Sequence, residues 1–161
     1  MAMWIGPVFD RTQADVEFAK RTIAEWIAAT ITGHSIVAYD LKGCLNVSDI
    51  NRIESNVAYL SEKLATYCYT PDTSTKSWTR VGMPNEKDVQ RITRNVKALI
   101  DAFYIMRDAP AVPKTLLSYE DVNAVEKNIS LIKDLLDSMV NSFKKSGSFR
   151  AGSTMVLPTR R

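Results

Sequence analysis

Asp49-Ile50-Asn51-Arg52-Ile53-Glu54-Ser55-Asn56-Val57 returns twice further along the chain, as Asp88-Val89-Gln90-Arg91-Ile92-Thr93-Arg94-Asn95-Val96 and as Asp121-Val122-Asn123-Ala124-Val125-Glu126-Lys127-Asn128-Ile129. A fourth, degraded copy runs from Asp15-Val16 to Thr22-Ile23, with Thr where the others carry Asn. Three places before each Asp stands a cap residue: Thr12, Asn46, Asn85 and Ser118. Such a residue accepts from the amides of a helix's first turn, and the acid at the third helical position reaches back to the cap's own amide. Each copy is therefore a helix start, and the acid also sits well against the positive end of the helix dipole. A repeat of structural units argues against a catalytic reading.

Downstream of each Asp, apolar residues follow at offsets of one, four, eight and eleven. These are Ile50, Ile53, Val57 and Leu60, then Val89, Ile92, Val96 and Leu99, then Val122, Val125, Ile129 and Ile132. Three-four spacing of this kind is a narrow, bundle-type stripe on one helix face. It predicts helices over about 12–32, 47–66, 86–106 and 119–145. Trp26 takes the offset of Leu60, Leu99 and Ile132 and is read as core. The fold class is all-α: a four-helix module of repeated capped helices with long extended connectors and irregular terminal arms. The expected organisation is an N-terminal arm (1–11), a helical repeat domain (12–145) and a C-terminal extended arm (146–161).

The connectors are longer than an up-and-down bundle needs. Residues 33–45 hold Ile36, Val37, Tyr39 and Leu41 and are too apolar to float free. Residues 67–84 hold Thr70-Pro71-Asp72 as a turn signal, then Trp78, Val81 and Met83. Residues 108–117 carry Pro110 and Pro113 and should be extended. Trp4 and Phe9 in the first arm, and Phe149, Met155 and Leu157 in the last, are candidate assembly contacts. These arms dock on neighbouring subunits or fold back over the bundle.

Asn56, Asn95 and Asn128 fall seven residues after each Asp, on the same helix side and at the margin of the apolar stripe. Asn is a mediocre helix former, so its recurrence calls for a hydrogen-bonding reason. A side-chain amide donates twice and accepts twice, which suits it to pinning an extended connector that has no ladder of its own. The expected role of each is structural: holding a connector or arm against its helix.

At 161 residues, 45% apolar and 24% charged, the composition is ordinary for one globular domain. The net charge of +3 is small and dispersed, apart from Lys144-Lys145, Arg150 and Arg160-Arg161 near the end. Cys44 and Cys68 suggest no disulfide scaffold, the N-terminus carries no secretory pattern, and no run approaches a membrane span. His34 is the single histidine, so nucleophile–base arrangements have one possible base, placed just past a helix end. No zinc spacing and no glycine-rich phosphate loop occur. Glu54 and Glu62, two turns apart, are expected on a solvated face. Catalytic residues, cofactors and metals are therefore expected to be none, and the protein is expected not to be an enzyme.

The stretch from Leu41 to Leu60, with its core Leu45-Asn46-Val47-Ser48-Asp49-Ile50-Asn51-Arg52-Ile53-Glu54-Ser55-Asn56-Val57-Ala58-Tyr59-Leu60, resembles a segment of virion and tail-associated structural proteins of phages and prophages of Gram-positive bacteria. Lys76-Ser77-Trp78-Thr79 with Met83-Pro84 and the helix after it, Tyr119 to Asn128, and Gly147-Ser148-Phe149-Arg150-Ala151-Gly152 are similar to further parts of that family. The resemblance implies a non-enzymatic tail, baseplate or fibre-attachment component, made in the host bacterial cytoplasm and resident in the virion. Its implied partners are other virion proteins and copies of itself, with no membrane. The alternative is a nucleic-acid-binding packaging or connector module that uses the basic C-terminus.

Overall fold

Each Asp that follows a cap residue by three places opens a helix: α1 (Gln13–Ile31), α2 (Val47–Ala65), α3 (Glu86–Ala102) and α4 (Tyr119–Lys145). The structure is a computed structural model and describes residues 2–35, 37–82, 84–104 and 107–145; among them there is no β-strand. Thr12 and Asp15, Asn85 and Asp88, and Ser118 and Asp121 each exchange two hydrogen bonds, the cap's amide donating to the carboxylate and the acid's amide to the cap's side chain. At Asn46 the Asp49 carboxylate accepts from both the backbone and the side-chain amide, at 2.9 and 3.0 Å. That same side-chain amide donates to the Leu41 and Cys44 carbonyls and fixes the turn before α2.

The helices α2, α3 and α4 form the bundle, and they run in the same direction. Glu54 in the second turn of α2 pairs with Arg91 in the second turn of α3. Glu126, in the second turn of α4, pairs with Arg52 of α2. At the other end Tyr69, just past α2, meets Phe103, just past α3, with ring centroids 5.0 Å apart. Parallel helices explain the long connectors. A 19-residue helix is about 28 Å long, and the chain must travel back over that length before starting the next one. Residues 66–85 and 103–118 are long enough to do so in extended form. Parallel packing also gathers three positive dipole ends together, which Asp49, Asp88, Asp121, Glu54 and Glu126 offset.

Equivalent offsets place the core residues at matching heights: Ile50, Val89 and Val122; Ile53, Ile92 and Val125; Val57, Val96 and Ile129; Leu60, Leu99 and Ile132; Leu64, Phe103 and Leu136. All belong to or pack against one apolar core. β-Branched residues at both core positions favour three-helix over two-helix packing, so one chain here builds what a parallel three-stranded coil builds from three. Trp78 and Leu116 on the connectors close the core, and Trp4 packs on its margin.

α1 departs from expectation. None of its residues joins the core; only Ala19 and Thr22 are buried. Trp26, expected in the core, is half-buried, with its ring edge-on to Tyr39 at 5.3 Å. The apolar period of α1 is that of a helix face, but this face packs on the returning connector. A Cβ at Gly43 would lie 2.1 Å from the Asp15 carbonyl oxygen, so only glycine allows the loop to back onto the start of α1. The rest of that connector is more exposed than its composition suggests, with Val37 85% and Tyr39 55% accessible and Leu41 the only buried one among the described residues, Ile36 lying outside them. α3, expected to reach 106, ends at Ala102, where Phe103 turns toward Tyr69.

Candidate assembly site

The bundle has three surface grooves, and an extended segment lies along each, running from the C-terminal toward the N-terminal ends of the helices. In the α2/α3 groove, Asn95 accepts from the Ser74 amide at 3.1 Å and donates to its carbonyl at 2.7 Å. Asn51 does the same for Trp78 at 2.8 and 3.0 Å. In the α4/α2 groove, residues 2–11 are held by Asn56 on Ile5 (2.8 and 2.7 Å) and by Asn123 on Arg11 (3.3 and 2.9 Å). In the α3/α4 groove, Asn128 donates to the Pro110 carbonyl at 2.9 Å and to Ala124 of its own helix. Asn56, Asn95 and Asn128 are all buried. Asn51 and Asn123 escaped the sequence reading, although they share the second offset from the Asp. Gln90, at that offset in α3, bonds to Glu86 instead.

Charged residues at the third and fifth offsets join the helices. Glu54, expected on a solvated face, is 4% exposed: it accepts from Arg91 and from Trp78 Nε1 at 3.1 Å. Its eight-residue partner Glu62 is exposed and accepts from the Ala2 amide. Glu126, 1% exposed, accepts from Arg52 at 2.6 and 3.0 Å, from Arg11 at 3.2 Å and from the Val8 amide. Asp49 completes the group, accepting from Arg11 at 2.8 Å and Arg52 at 2.5 Å. Two guanidinium groups thus face two carboxylates. Burial pushes Asp49 up, but the Asn46 amide and the Arg52 and Arg11 charges outweigh it, and its pKa lies below the usual carboxylate value. Arg52 is raised, because Glu126 and Asp49 outweigh the burial that would lower it.

The first arm therefore folds back on its own bundle. Trp4 lies 5.7 Å from the Tyr59 ring with Lys133 over its own face, and Phe9 stays 37% exposed with Lys127 over it at 4.6 Å. Phe149, Met155 and Leu157, together with Arg150, Arg160 and Arg161, lie outside the described residues. His34 sits exposed after α1, its ring 2.9 Å from the Thr32 hydroxyl. Among the described residues no helix is long and apolar enough to cross a membrane, and no three potential metal ligands gather.

Among the described residues, one apolar surface left uncovered is a row on α1. Ile23, Ile27 and Ile31 follow at four-residue steps, so they form one row, and they are 37%, 56% and 80% exposed. Phe18, on the opposite side of α1, and Val37, past the end of the helix, are also exposed, at 53% and 85%. The sequence reading missed this row because it took the helix's apolar residues as one stripe; α1 has two, and its own connector covers one. A second apolar surface is an open groove of about 410 Å³ at the C-terminal end of the bundle, lined by Tyr69, Phe103, Tyr104, Leu135 and Met139. No protein-family model, no curated protein and no solved structure matches the chain.

Proposed function

We propose that this protein is a non-enzymatic structural component of a virion, tail-associated, that works by subunit assembly. One observation carries the assembly reading. The α2–α4 bundle is closed by the chain's own extended segments, whereas α1 stands off it and leaves a row of isoleucines in water. Contiguous exposed apolar surface of this kind marks an interaction site. The buried acids and bases support the non-enzymatic part, since they bond to one another and to strap backbone within the bundle. The virion assignment rests on the resemblance of residues 41–60 to phage structural proteins.

In this reading the bundle is a rigid body and α1 its attachment surface. Replacing Ile23, Ile27 and Ile31 together with Ser removes no core residue, so the helical signal should persist. Incorporation of that variant into purified particles should fall to background. Incorporation at the parent level overturns the proposal, and flanking genes of metabolism rather than of tail assembly would overturn the virion assignment.

A further inference from the structure

We infer that the α4/α2 groove is a receptor for residues 2–11 of a second copy of the chain, and that copies assemble by exchanging residues 2–31 about the segment 32–40. The inference rests on the assembly reading above and names its partner.

The groove reads an extended backbone and one cation. Asn56 and Asn123 each take both backbone groups of one residue, Ile5 and Arg11, and Glu126 takes the Val8 amide. The side chain that must match is Arg11, 2% exposed, which enters between Asp49 and Glu126. Without it, Arg52 alone faces two buried carboxylates; with it, the charges balance. Residues 2–11 carry that cation, so the groove and this chain's own arm are complementary. None of these contacts depends on the arm and the groove belonging to the same molecule, so exchange preserves every one of them.

The connection permits the exchange. α1 contributes nothing to the core, and every described residue from 32 to 40 is exposed. The chain reverses at Gly33, where φ is +75° and the amides of Gly33 and His34 bond back to Thr30 and Ala29. Straightening this one turn carries α1 and the arm away from their own bundle. Reciprocal exchange then brings two such hinges together. The most exposed apolar residues beside them, Ile31 at 80% and Val37 at 85%, flank that turn and would cover one another.

The test places cysteines where arm and groove touch. Ser55 Oγ donates to the Met3 carbonyl at 2.8 Å, so Met3→Cys and Ser55→Cys are made in separate full-length chains with Cys44→Ser and Cys68→Ser. The two chains, differing in tag, are mixed over a range of concentrations and treated with a short bifunctional thiol crosslinker. The expected product is a mixed dimer joined through positions 3 and 55, rising with concentration and several-fold above a control pairing of Met3→Cys with Lys97→Cys on the exposed side of α3. A yield no greater than that control at the highest soluble concentration overturns the exchange. So does failure of the double variant, with both cysteines in one chain, to crosslink at all, either within a chain or between two, since the arm would then not occupy the groove. A negative result beside loss of the isoleucine variant from particles would leave assembly through α1 standing with another partner; the reverse outcome would leave exchange standing without the virion.

Discussion

Asn56 satisfies both backbone groups of Ile5 with one side chain, and no other described side chain bonds to either group. Leu in its place keeps the volume but strands the half-buried amide and carbonyl of the arm, and a fully buried group left unpaired costs about 1–3 kcal/mol, which is the upper bound for each here. Asn56→Leu should therefore lower the melting temperature measured by circular dichroism; a variant as stable as the parent would show that the arm is not held there. Asp49 gives the protein an acid limb. Its pKa is lowered on folding, so its stabilising contribution is complete above the unfolded value of about 4 and is lost as pH falls through the lower folded value. Asp88 is shifted the same way, first by Lys76 and then by the Asn85 amide. Stability should fall steadily below about pH 4, and Asp49→Asn should be less stable at neutral pH but show a shallower acid slope in denaturant titrations. An unchanged slope would mean that the Arg11–Asp49–Arg52–Glu126 group does not exist in solution.

At the scale of elements, the end of α2 decides whether the next segment can return along the bundle. Cys68 holds φ at +66°, the left-handed region in which a β-carbon is strained, and the Tyr69 amide bonds back to the Leu64 carbonyl. Cys68→Gly should stabilise the protein by about 1 kcal/mol, read as a higher midpoint in chemical denaturation. A lower midpoint would contradict the turn. How far these elements were legible follows from what each signal encodes. Cap residues and the Asp three places on are local signals, and they placed all four helix starts within a residue. The recurring Asn announced a hydrogen-bonding need, because nothing in helix propensity favours it. The direction of the helices was not legible: a three-four stripe reads the same in parallel and antiparallel bundles, and the pairing of Glu54 with Arg91, of Glu126 with Arg52 and of Tyr69 with Phe103 distinguishes them. Trp26 failed for the same reason, since periodicity shows that a face is covered without showing what covers it. Glu54 looked solvated because charge alone gives no sign of a partner thirty-seven residues away.

For the whole molecule, three parallel helices and three extended segments enclose one apolar core, and α1, with its exposed isoleucine row, is the part we propose to meet a neighbour. This division separates stability from assembly: substitutions at Asn56, Asp49 or Cys68 act on the bundle, whereas the isoleucine row of α1 can be changed without touching the core. The most direct test is sedimentation velocity of the full chain over a range of concentrations, comparing the parent with the variant in which Ile23, Ile27 and Ile31 are Ser. The parent's sedimentation coefficient should rise with concentration, while the variant should stay a monomer with the same helical signal and melting temperature. A parent that remains monomeric throughout, or a variant that associates as the parent does, would contradict assembly through α1.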